Sequence, residues 1–183
     1  MNFIAVDVET ANSFVSSICQ IGIAEYASGQ LVAEWETLVN PQDEFDSFNI
    51  EVHGITADTT ANAPTLPKIY QEIKLRLHGK IVVCHTSFDR TSLTLALKRY
   101  KLRRIQCAWL DSAIVARRTW AQFARLGYGV KNVCDFLGYE FTHHNALADA
   151  KAAGFIMLAA CRHTGLSIED WLGAVYTQVS QCK

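Results

Sequence analysis

Residues 3 to 8, Phe-Ile-Ala-Val-Asp-Val, are apolar but for one carboxylate, and Glu9 follows directly. Such a run, lacking helical spacing, suits a β-strand covered on both faces. A strand covered on both faces belongs inside a layered domain. This one also carries acid into an apolar setting. Period-two alternation sends the side chains of Asp7 and Glu9 to the same face, with Val6 and Val8 on the other.

The rest of the chain supplies the layers. Ile18 to Tyr26 and Leu31 to Val39 are two further strand candidates, joined through a hairpin turn at Ala27-Ser28-Gly29-Gln30. Three strands without an intervening helix predict an antiparallel meander, which Pro41 ends, with residues 42–47 as a loop. After Pro64 the period becomes helical. Leu66, Ile69, Ile73 and Leu77 predict a helix with Thr65 at its N-cap and Gly79 as its stop. Ile81 to Cys84 reads as a short buried strand, and Leu93, Leu97 and Tyr100 mark a helix beginning near Asp89. Ala108 to Leu110 suits another strand, and Ala113 to Thr119 a short helix. Val130, Val133, Cys134 and Leu137 fit a helix closed by Gly138. Asn145 caps an alanine-rich helix running to about Cys161, and Ser167 with Asp170 opens a final short helix. With 183 residues, half of them apolar, the chain can bury a substantial core. The expectation is a single α/β domain over residues 1–183 with a mixed sheet.

A net charge of −1 gives no compositional sign of a nucleic-acid binder. An acidic site that holds metal ions can nevertheless carry phosphate. The six cysteines show no metal-ligand spacing and read as reduced thiols, several of them within apolar runs. No apolar run is long enough to span a membrane. The first strand pattern begins at once, without a signal-like segment before it, so the expected location is cytoplasmic.

Two acids side by side in an apolar setting repel each other, and a hard divalent cation relieves that repulsion. Asp89, at a strand-to-helix turn, and Asp149, near the start of a helix, would each pass alone as a helix-end acid. His144, five residues before Asp149, falls in the loop ahead of that helix, where it can swing over a metal held by Asp149. An imidazole titrating near neutral pH suits the removal of a proton from water. His143 reads as an incidental neighbour, and His78, His85 and His163 as surface or core residues. Together the acids and His144 form the set that metal-assisted phosphodiester hydrolysis needs: a carboxylate clamp for two ions, typically about 3.5–4 Å apart, and a base. Lys98, Arg99, Lys101, Arg103 and Arg104 form a basic cluster, which reads more simply as a solvated helix end than as a phosphate-contacting patch.

Four segments in order carry a family resemblance: Asp7-Val8-Glu9-Thr10, Val52-His53-Gly54-Ile55-Thr56, His85-Thr86-Ser87-Phe88-Asp89, and His144 with Asp149. Across residues 3 to 163 the chain resembles the DEDDh branch of the 3′–5′ exonucleases, the family of the proofreading epsilon subunit of bacterial replicative DNA polymerase. The resemblance implies a ribonuclease-H-like α/β fold with a mixed, roughly five-stranded sheet. It implies two Mg2+ or Mn2+ ions held by Asp7, Glu9 and Asp149, with Asp89 joining directly or through water, and His144 as general base. Thr10, Val52, His53, Ile55 and Phe88 would line the pocket for the terminal nucleotide. Thr86 departs from the family's usual Asn, and Ala11-Asn12 from its usual Thr-Gly. The activity implied is release of nucleoside 5′-monophosphates from DNA or RNA 3′ ends, DNA slightly favoured. The alternatives are an exoribonuclease or oligoribonuclease and, from another class, a non-catalytic nucleic-acid-binding or polymerase accessory module. No polymerase-binding tail like that of the replicative subunit is evident, so a free-standing nuclease is expected; a homodimer stays open.

Overall fold

The computed structural model describes residues 1–179. Five strands form one sheet in the order β3-β2-β1-β4-β5. They are β1 (Phe3–Thr10), β2 (Ile18–Ala27), β3 (Gln30–Leu38), β4 (Ile81–Cys84) and β5 (Ala108–Asp111). The first three make the expected antiparallel meander, and β4 and β5 join it in parallel. Ser28 and Gly29 both have positive φ, the requirement of the tight hairpin turn that suits a twisted β-ribbon.

The two faces of β1 lead into two cores. Ile4, Val6 and Val8 pack with Ile69, Ile73 and Leu77 of α3 (Leu66–Leu77) and with Leu93 and Leu97 of α4 (Phe88–Arg99). Phe3 and Ala5 belong to the opposite core, formed with α5 (Ser112–Thr119), α6 (Val130–Leu137), α7 (Ala146–Thr164) and α8 (Ile168–Val179). Asp7 and Glu9 continue the Phe3–Ala5 series, so alternation points them toward α7.

Helix α7 lies close on the sheet because both surfaces are small where they meet. Ala146, Ala150 and Ala153 are buried beneath it. A Cβ built on Gly22 of β2 would collide with the backbone of Ala146, and one on Gly154 would come within 2.5 Å of the Tyr26 ring. Polar contacts fix the start of the helix. Ala146 N–H donates to Gln20 Oε1 at 3.1 Å, and the Asn145 side chain caps Ala148 N–H at 2.9 Å. The amide groups of Gln20 and Asn145 both donate to Glu36 Oε1. Since the obstructing atoms are backbone, Gly22→Ala should lift this end of α7. The expected loss is about 1–3 kcal/mol of stability, as for other overpacked cores. A thermal melt coinciding with that of the wild type would show that α7 is not seated on Gly22.

Two elements were not expected from the sequence, α1 (Ser47–His53) and α2 (Ala57–Thr60). Both are short, α1 buries no residue, and α2 starts from a reciprocal capping box of Thr56 and Thr59. Gly138 closes α6 with φ 73°, and Ser167 and Asp170 exchange hydrogen bonds at the start of α8. Thr65 precedes α3 as expected, but its side chain forms no capping hydrogen bond. The five cysteines among the described residues are free thiols, and Cys182 lies outside the described residues. No described helix is long and apolar enough to cross a membrane.

Candidate active site

The site forms where β1 outruns its neighbour. β4 pairs with β1 only at Ile4 and Ala5, leaving the later edge of β1 without a strand partner on that side. Asp89, in the first turn of α4, fills the gap by accepting the Val8 N–H on its Oδ1 at 3.1 Å. The crevice thus lies past the carboxyl ends of β1 and β4. At that point one chain connection leads to each side of the sheet, the usual position for ligand binding in open α/β sheets.

Three carboxylates converge there. One oxygen each of Asp7, Glu9 and Asp149 lies within 4.8 Å of the others. Asp149 is buried in the first turn of α7 and is held from two sides. His143 Nδ1 is 2.7 Å from its Oδ1, and the His144 backbone N–H donates to its Oδ2 at 2.7 Å. His144 adopts φ 65° to make that contact, a left-handed conformation that histidine tolerates better than most residues. The His143 and His144 rings stack with centroids 3.8 Å apart. His143 is therefore no incidental neighbour.

Crowding and burial make the carboxylates reluctant to ionise. Burial, then the charges of Asp89, Asp149 and Glu9, push Asp7 well above the usual carboxylate range. Burial, followed by Asp149, raises Glu9 to about 7. Asp89 reaches about 8, chiefly through burial, despite the hydrogen bond from Val8. Its Oδ2 is buried and has no hydrogen-bond partner among the described residues. An all-oxygen donor set with one oxygen left unsatisfied fits a hard divalent cation such as Mg2+ or Mn2+. Asp7, Glu9 and Asp149 would hold it, with Asp89 beside them.

The raised values have a consequence for stability. A carboxylate whose folded pKa lies above its unfolded value stabilises the protein fully below the unfolded value. That contribution is lost as pH rises through the folded one. Metal-free protein should therefore lose stability between about pH 4 and pH 8. Divalent ions held by the ionised carboxylates would restore more at pH 8 than at pH 5, about 1.4 kcal/mol at ten times Kd. Glu9→Gln, which removes one charge and none of the hydrogen bonds described above, should flatten the metal-free slope and blunt the metal response. Melts of both proteins with EDTA and with Mn2+ test this. A wild-type response that is absent, or equally large at both pH values, would contradict the shared site.

The cavity over these acids is about 320 Å³, and Phe48, Val52 and Phe88 supply apolar lining. Phe48 is 73% exposed and Phe88 40%. Thr10 and His53 also line the cavity, and the Thr10 carbonyl accepts from Asn49 Nδ2 at 2.8 Å and from His53 Nε2 at 3.0 Å. Since Ile55 N–H donates to His53 Nδ1, these contacts select the neutral imidazole protonated on Nε2. Burial likewise holds His53 below the ordinary histidine value. Ile55 corrects the expectation: it is buried with Ala11 and Cys19 rather than exposed to the cavity. The sequence also left out Phe48, Asn49, Val130 and His85, all of which line the cavity. Phe48 and Val52, one helical turn apart, were the available signal for α1. His85 bridges Ser112 Oγ and the Tyr128 carbonyl, each at 2.8 Å, and so ties the loop before α6 to this wall. Thr86 sits at φ 74°, a strained conformation for a β-branched residue and one that Asn adopts more readily.

The strand order, and acids gathered where β1 and β4 end, define a ribonuclease-H-like fold carrying a nuclease-type site. The model of the RNase T exonuclease family matches residues 4–157, and the chain belongs to that family, in its DEDDh 3′–5′ branch. Among curated relatives it is similar to the PolC-type DNA polymerase III of Streptococcus pneumoniae, 27% identical over 158 residues. The match takes in 85% of this chain but only 11% of that polymerase. Among solved structures, Exonuclease X in complex with 5′ overhanging duplex DNA has a TM-score of 0.78 at 18% identity, over 93% of this chain and 98% of that one. The nuclease domain of 3′hExo bound to rAMP has a TM-score of 0.73 at 18% identity, over 89% and 92%.

Proposed function

We propose that the chain hydrolyses the terminal phosphodiester bond at nucleic-acid 3′ ends and releases nucleoside 5′-monophosphates, using two Mg2+ or Mn2+ ions. The convergence of Asp7, Glu9 and Asp149 within 4.8 Å carries this reading. Divalent ions in such a site supply Lewis-acid stabilisation of charge on the phosphate oxygens and lower the pKa of bound water. The protein contributes the rest. His144, at the rim of the cavity, takes the proton from the attacking water. Phe48 and Phe88 receive the terminal base, and the bonds of Asn49 and His53 to the Thr10 carbonyl hold the end of β1 rigid beneath it.

DNA is the favoured substrate, supported by the resemblance to PolC-type DNA polymerases and to a DNA-bound exonuclease fold. RNA ends are the second reading, favoured by the similar domain that holds rAMP. Matched DNA and RNA oligonucleotides with free or blocked 3′ ends separate the two. A higher kcat/KM on free DNA ends supports the first, and hydrolysis of blocked ends at the same rate would sink the 3′-end assignment.

The exposed rings have a predictable share in binding. Stacking of a base on an aromatic side chain contributes roughly 1–3 kcal/mol. Phe48→Ala and Phe88→Ala should each raise KM by about ten-fold or more, with little preference among the four bases. Unchanged KM in either variant would remove that ring from the pocket.

A further inference from the structure

Two depressions that share lining residues continue from the cavity as a groove. Thr86 lines both the cavity and a neighbouring depression that also includes Arg90 and Trp109. Arg90 and Trp109 in turn line a third depression with Thr91, Thr94 and Arg104. The path therefore runs from the carboxylates past the start of α4 and along β5, an edge strand of the sheet that α8 packs against.

Its charge is one-sided. Arg90 and Arg104 are both exposed, and neither forms a salt bridge among the described residues. Arg76 and Arg99, by contrast, are engaged by Glu25 and Asp43 at 2.8 Å. The one acid along the path is Asp111, whose Oδ1 already accepts the N–H groups of Thr86, Ala113 and Ile114. No acid lines the third depression. Two guanidinium groups and the Thr94 hydroxyl, without a competing carboxylate, suit successive phosphate oxygens, while the Thr91 hydroxyl is already given to the Ser87 carbonyl. Within the basic cluster of residues 98–104, Arg99 is spent on Asp43, whereas Arg104 joins Arg90 at the groove.

We propose that this groove binds the single-stranded nucleic acid lying 5′ of the scissile bond, with Arg90 and Arg104 contacting its phosphates. The proposal rests on the 3′-exonuclease reading, since only that reading puts the strand's end in the cavity. It makes substrate length matter: a dinucleotide fills the cavity alone, whereas a longer strand reaches the arginines.

The test compares wild type with the Arg90→Gln/Arg104→Gln double variant on a thymidine dinucleotide and on a longer oligothymidylate. The variant should raise KM for the longer strand roughly ten-fold and reduce the salt slope of its binding by about 1.4, the share of two phosphate contacts on a single strand. Hydrolysis of the dinucleotide should not change. Equal KM for the longer strand, or an equal loss on both substrates, would overturn the groove. Fluorescence anisotropy of the labelled longer strand in EDTA reads the same groove without catalysis. Weaker binding by the variant supports the groove even if neither protein cleaves, in which case only the exonuclease reading fails. Equal binding overturns it.

Discussion

Asp7→Asn is expected to lower hydrolysis of 3′ ends by on the order of a thousand-fold or more while leaving the fold intact. Asp7 stands between Glu9 on its own strand, Asp89 on α4 and Asp149 on α7, and its carboxyl feels the charge of all three. It takes part in none of the hydrogen bonds described above, so the amide should cost little in packing. Losing the carboxylate weakens the hold on the ions at the centre of the set. Removal of one of four crowded charges should also leave metal-free stability unchanged or higher. A folded variant with near-normal activity would refute the metal assignment, and a variant that fails to fold would refute the account of Asp7 as unbonded.

His144→Ala should lose roughly a hundred- to ten-thousand-fold, the usual contribution of a general base. Burial and the neighbouring His143 hold His144 below the ordinary histidine value. The neutral form that can accept a proton is therefore populated at neutral pH and lost only as pH falls below the ordinary histidine range. The rate of the wild type should drop along that acid limb, and the limb should vanish in the variant. His143→Ala provides the contrast. Its ring holds Asp149, so its loss should resemble that of a residue supporting a ligand, about ten- to a hundred-fold, with the acid limb retained. Equal losses with the same pH profile in both variants would leave the base unassigned.

The strands and the acids were legible because apolar alternation and charge in an apolar run are strong local signals. Phe3 to Val8 predicted a strand covered on both faces, and the alternation of Asp7 and Glu9 with Val6 and Val8 placed both acids under α7. Helix α1 was hidden because seven residues that bury none of their side chains leave only the spacing of Phe48 and Val52, and no run of core positions, to read. The part of His143 was hidden for another reason. Which of two adjacent histidines meets Asp149 depends on the turn before α7, where His144 takes a positive φ that no residue pattern announces. Ile55 was carried into the pocket with its motif, although its neighbours Ala11 and Cys19 come from distant parts of the chain. The groove at Arg90 and Arg104 likewise appears only once α4 and the segment leading to β5 are packed side by side.

The most direct measurement follows metal-stripped protein acting on a strand labelled at its 3′ end. No release is expected in EDTA. On addition of Mg2+ or Mn2+ the labelled nucleoside 5′-monophosphate should be the first product, and a 5′-labelled strand should shorten in single-nucleotide steps. Release that proceeds equally without metal, or first products that are internal fragments, would contradict the metal-dependent 3′-end reading.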